Sequence, residues 1–131
     1  MILDTNYLIK LFKGHSGAHE KARELHSENE IQRVPAPVFT EIEYGAEFVL
    51  DEEERRRIRN VSRMYSVTRL NEEMTRRAGQ LHAQADTEES GKSGADAVDA
   101  MVAAVAETAG ENVVTDNVTD FQQLGVGVEP F

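Results

Sequence analysis

A chain of 131 residues without cysteine provides one domain-sized core, with no disulfide framework, no thiolate metal site and no thiol nucleophile. Its formal net charge of −10 favours solubility and opposes contact with nucleic acid at low salt. No apolar run approaches a membrane span, and no basic segment leads into a long apolar one at the N-terminus. The expectation is therefore a soluble cytoplasmic protein with no membrane partner. A high-salt cell interior reconciles the acidity with a polyanionic partner, because the screening length falls to about 3 Å in molar salt. A halophilic origin is the corresponding expectation.

The chain opens with Met1-Ile2-Leu3-Asp4-Thr5-Asn6. This pattern predicts a buried strand stopping at Asp4, with Thr5 or Asn6 capping a helix through Leu8, Ile9, Leu11 and Phe12. Residues 14–17 break the pattern. A second helix is predicted over residues 18–28, with Ala22, Leu25 and His26 inward. Residues 31–34 read as a strand closed by Pro35 and Pro37. The helix predicted over residues 37–50 carries an apolar stripe at Val38, Ile42, Gly45, Ala46 and Val49, with Glu41 on its border and Glu43 and Glu47 in solvent.

Residues 51–63 place acids before arginines, which suits the dipole of an exposed helix. A phosphate-gripping role for the arginines is the secondary reading. Residues 64–70 read as a third strand with Tyr65, Val67 and Leu70 inward. Asn71 is placed to cap a helix bearing Met74, Ala78, Leu81 and Ala85 on one face. After a polar loop, residues 95–106 form the most apolar helix of the chain. Asp99 projects from its nearly buried surface, where an unpaired charge is unfavourable unless a cation or donors meet it. Asp96, one turn earlier, reads as a cap. Residues 112–115 form a fourth strand ending in Asp116-Asn117, followed by the turn Thr119-Asp120-Phe121, and residues 126–129 form the last strand. Five short strands alternating with helices predict an α/β fold with a parallel sheet covered on both faces.

Two strand ends thus carry acids, Asp4 and the 116–120 turn, and two helices carry acids at the border of their apolar faces, Glu41 and Asp99. Converging carboxylates repel, and they persist by sharing protons or by holding hard cations. Mg²⁺, with Mn²⁺ as substitute, fits an all-oxygen donor set. His15, His19, His26 and His82 fall on surface or helix-flank positions, so no Ser-His-acid set is in view, and no glycine loop of the phosphate-cradling type occurs.

These stretches resemble the PIN-domain nucleases, and in small size the VapC-type toxins of toxin–antitoxin pairs. The resemblance is carried by Met-Ile-Leu-Asp-Thr-Asn at the start, by Thr40-Glu41-Ile42-Glu43-Tyr44-Gly45-Ala46, by Asp99-Ala100-Met101-Val102-Ala103-Ala104, and by Val114-Thr115-Asp116-Asn117-Val118-Thr119-Asp120-Phe121. It implies one domain over residues 1–131, a Rossmann-like sheet of order 3-2-1-4-5, and an Mg²⁺-dependent endoribonuclease acting on RNA. It also implies a homodimer and a cognate antitoxin. Asp4, Asp99 and Glu41 would hold the metal, with Thr5 and Thr115 as polar supports. Many relatives have an aspartate where Asn117 stands here, leaving Asp116, Asn117 and Asp120 as alternatives for the fourth site residue. Asp120 is favoured, with Asn117 as a neutral ligand or water holder.

Three other readings compete. A phosphotransfer enzyme using Asp4 as nucleophile lacks the second aspartate two residues on, where Asn6 stands. A PIN nuclease of RNA maturation differs from a toxin only in its setting. A degenerate PIN domain would bind RNA or protein without cutting. Leu8, Leu11 and Phe12 are placed either in the core or in an antitoxin groove.

Overall fold

The computed structural model describes residues 1–48 and 51–131. Strands of two or three residues form one parallel sheet: β1 (Ile2–Leu3), β2 (Arg33–Pro35), β3 (Ser66–Thr68), β4 (Val113–Val114) and β5 (Val128–Glu129). Their order is β3-β2-β1-β4-β5, as expected for the PIN-like architecture. Ile2, Leu3, Val34, Val113 and Val114 are fully buried, which is why these strands are continuous apolar runs rather than alternating ones.

The helices are α1 (Thr5–Phe12), α2 (Ser16–Ser27), α3 (Val38–Ala46), α4 (Glu52–Arg59), α5 (Val61–Met64), α6 (Glu72–Glu88), α7 (Ala97–Ala109) and α8 (Val118–Gln123). Helix α1 packs against α2, α3 and α4, while α7 packs against α6 and α8 and lies on β1, β2 and β4. The alanine and valine side chains of α7 let its backbone approach the sheet closely; Val102, Ala103 and Ala104 are fully buried. Gly110, at φ +67°, ends α7 in the left-handed conformation that a side chain disfavours.

Several local expectations are corrected. Thr5 and Asn6 lie inside α1; Asp4 occupies the cap position, and its carboxylate makes no capping hydrogen bond. Helix α2 begins at Ser16, with His15 Nδ1 accepting from the Ala18 amide. Its inner face is Ala18, Lys21 and Leu25, whereas His26 is exposed. Lys21 is buried because its stem lies on the core while its ammonium reaches Glu129 and Glu24 at 3.0 and 2.9 Å. Pro35 is the last residue of β2, not its terminator. Met64 ends α5, and Val67 is 41% exposed because β3 is an edge strand. The expected Val49 in the α3 stripe and the helix end at Leu50 lie outside the described residues. No helix among the described residues is long and apolar enough to cross a membrane.

Candidate active site

The sheet order reverses at β1: the chain leaves it towards β2 on one side and returns to it as β4 on the other. In an open parallel sheet the crevice beyond the carboxyl ends of strands at such a point is where ligands settle. Asp4 follows β1 and Thr115 follows β4, so both lie at that crevice by construction. The Thr115 hydroxyl, fully buried, donates to Asp4 Oδ2 at 2.8 Å and accepts from the Asn117 amide at 2.9 Å. Asp4 is 3% exposed.

Glu41 arrives on α3, which is separated from β2 by two residues. Its Oε1 accepts a 2.7 Å hydrogen bond from the Thr5 hydroxyl, so the residue next to Asp4 ties α3 to the end of β1. Asp99 arrives on the first turn of α7 and is 8% exposed. Asp96 caps this helix as expected: its Oδ1 accepts from the Asp99 amide at 2.8 Å, and Asp99 Oδ2 accepts from the Asp96 amide at 3.1 Å. That capping box was not foreseen for Asp99, although Asp-x-x-Asp is legible in the sequence. It engages one carboxylate oxygen of Asp99.

Asp99 feels the charge of Asp4, and both buried aspartates feel Glu41. Burial pushes the Asp4 carboxyl up to about 6 against the pull of Thr115 and the Thr5 backbone, and the negative charges of Glu41 and Asp116 add to the rise. Burial likewise pushes Asp99 up to about 7; its Asp96 backbone bond opposes this, and Asp96, Asp4 and Glu41 add to it. The donor set is oxygen throughout and includes buried carboxyls held away from their ordinary ionisation, which fits a hard divalent ion. Among the described residues, no three histidine, aspartate or glutamate side chains are already gathered tightly enough to enclose an ion.

The 116–120 turn divides. Asp116, whose charge is felt at Asp4, is paired with Lys10 from α1. Asn117 is the cap residue of α8 without a side-chain capping bond. Asp120 lies against the loop before α7: a Cβ built on Gly94 would stand 2.2 Å from Asp120 Oδ1. Asp120 is thus placed beside the α7 entry, while Asp116 is placed beside Asp4. Lys10 is a site neighbour that the sequence reading misses; its position about one and a half turns into α1, on the helix that Asp4 opens, is the signal for it.

Comparison with known proteins completes the picture. A family model described as PIN domain matches residues 1–126. Among curated proteins none matches the chain. Similar solved structures include VapBC2 from Rickettsia felis bound to a DNA fragment from their promoter, at 18% identity and TM-score 0.80, covering 99% of this chain and 97% of that one. FitAcB from Neisseria gonorrhoeae is similar at 19% identity and TM-score 0.79, over 97% and 94% of the two chains. DNA-bound VapBC from Salmonella typhimurium is similar at 25% identity and TM-score 0.74, over 98% and 96%. The matched model and the sheet order together lead to one conclusion: the chain belongs to the PIN-domain family.

Proposed function

We propose that this protein is a metal-dependent endoribonuclease that hydrolyses RNA phosphodiester bonds, and that it is the toxin of a VapBC-type toxin–antitoxin pair. The observation that supports the reading is the electrostatic coupling of Asp4, Glu41 and Asp99, from three distant segments: Glu41 adds to the rise of Asp4, and Asp4 and Glu41 add to that of Asp99. Asp4, Asp99 and Glu41 would hold Mg²⁺, or Mn²⁺ in its place. When bound, such an ion supplies the positive charge that lets a phosphodiester approach the acids and makes water a stronger acid. Thr115 holds Asp4 in place through its 2.8 Å bond, and Thr5 does the same for Glu41 at 2.7 Å. Asp120 or Asn117 orients the attacking water, and a polar side chain there is within the reach of the 116–120 turn.

The toxin assignment rests on the likeness to VapBC and FitAcB structures, and it brings a cognate antitoxin and a homodimer as expected partners. Cleavage of single-stranded RNA in Mg²⁺, its loss in EDTA, and its loss in Asp4→Asn by a factor on the order of 10² to 10³ test the reading. EDTA-insensitive cleavage by Asp4→Asn at the wild-type rate would remove it.

The Asp96–Asp99 capping box favours a second reading, since it accounts for Asp99 without a metal. On that reading the domain binds RNA or protein without cutting. Titration with Mn²⁺ separates the two, because a non-catalytic domain has no reason to retain a site for it.

A further inference from the structure

Tyr44 and Phe48 are 70% and 71% exposed, the largest such exposures among the described large apolar side chains. Their rings meet edge to face, with centroids 5.1 Å apart. Both lie on α3 or the turn that continues it, since the Phe48 amide donates to the Gly45 carbonyl at 3.1 Å. At 3.6 residues per turn, their positions fall between the direction of Glu41 and that of Glu43 and Glu47. Arg59 of α4 stands beside those two glutamates, at 3.8 Å from Glu43 and 3.9 Å from Glu47. Beyond it, Arg55, Arg56, Arg59 and Arg63, with Glu52 and Asn60, line a surface hollow of about 500 Å³. Glu41 and the two rings therefore lie on one helix and the turn that continues it, and the hollow along α5 and α4, which packs against that helix, gathers four of the 14 cationic side chains of a protein with net charge −10.

We propose that this surface is a binding track for single-stranded RNA, in which Tyr44 and Phe48 stack bases and the arginine hollow grips the phosphates. The inference rests on the nuclease reading only for where the scissile bond lies. Its own basis is the pairing of ring faces with guanidinium groups, the chemistry that recognises an unpaired strand. Long, exposed contacts such as Arg59 to Glu43 contribute little and yield easily to phosphate. A second copy of this chain is the less favoured occupant, because two rings flanked by glutamates and arginines do not form the apolar core of a stable dimer.

The test is binding of a short unstructured single-stranded RNA to the full chain in EDTA, where cleavage is absent, followed by steady-state cleavage in Mg²⁺. Tyr44→Ser/Phe48→Ser is expected to weaken binding roughly tenfold or more, and to lose no affinity for an abasic strand of the same charge. Arg56→Glu/Arg63→Glu is expected to weaken both about tenfold and to flatten the salt dependence by one to two counterions. In cleavage, KM rises and kcat is retained. Wild-type affinity in both variants while the wild-type chain cleaves RNA would overturn this track and leave the nuclease reading intact. Weakened binding by a chain that never cleaves would do the reverse. Loss of a dimer in the ring variant with RNA affinity unchanged would assign the face to a second copy and overturn the proposal.

Discussion

The Thr5 hydroxyl donates a 2.7 Å hydrogen bond to Glu41 Oε1, joining the end of the central strand to the helix that follows its neighbour. Thr5→Val keeps the shape and removes the donor. If Glu41 holds the proposed ion, cleavage falls by about 10- to 100-fold, the usual cost of losing a residue that orients a metal ligand. The thermal midpoint should change little, because Glu41 is half-buried and water replaces the bond. Thr5→Ser should restore activity; an inactive Ser variant would show that the methyl group, not the hydroxyl, matters.

Stability of the metal-free protein should fall as pH rises from about 4 to about 7. Asp4 and Asp99 ionise at about 6 and about 7 in the folded chain, against 3.8 as the ordinary value. Across that window the native state retains protons that the unfolded chain has released, so deprotonation works against the fold. Asp86, Glu107 and Glu111 are shifted down from 3.8, 4.5 and 4.5; their stabilising contribution is complete above those ordinary values and is lost as pH falls through the lowered ones, so it touches only the acid edge of the window. Urea midpoints in EDTA at about pH 5 and about pH 8 should therefore order with pH 5 the more stable, and Mg²⁺ should narrow the difference by stabilising the protein more at pH 8. A midpoint that rises with pH in EDTA would contradict the placement of both acids.

The fourth site residue can be assigned through a glycine. Gly94 does not have a positive φ, so alanine is conformationally allowed there, yet its Cβ would displace the Asp120 carboxylate 2.2 Å away. If Asp120 serves the reaction, Gly94→Ala should lower cleavage about tenfold or more, in parallel with Asp120→Asn. Asp116→Asn should then have the smaller effect. Full activity in Gly94→Ala and Asp120→Asn, with loss in Asp116→Asn, would move the role to the residue paired with Lys10.

Much of this arrangement was legible in the sequence because it rides on local patterns. The run Ile2-Leu3 before Asp4, the alanine-rich helix around Asp99 and the Val113-Val114 strand announce buried elements whose ends are fixed by the chain itself. The capping box on Asp96 and Asp99 was half read: the cap was seen, but the reciprocal bond from Asp99 needs the helix start to be known to the residue. Lys21 was missed because hydropathy treats a lysine as surface, whereas its burial depends on Glu129, over a hundred residues away. Val67 was placed inward because a β-branched residue favours strands, but exposure at a sheet edge is set by which strand lies beside it. Which acid of the 116–120 turn faces Asp4 depends on contacts with Lys10 and Gly94 that no local pattern encodes.

The acidity of the surface carries its own prediction. If the net charge of −10 reflects a high-salt interior, chemical unfolding midpoints should rise from low to molar KCl as self-repulsion is screened. Greater stability at low salt would remove the halophilic proposal.

We propose that Asp4 after β1, Glu41 on α3 and Asp99 on α7 share a divalent ion. Crystals of the metal-free protein soaked in Mn²⁺ and measured for anomalous scattering test it most directly. The expected result is a peak between the carboxylates of Asp4 and Asp99 that disappears in Asp4→Asn. A protein that cleaves RNA in Mn²⁺, with the ion located away from both carboxylates, would contradict it.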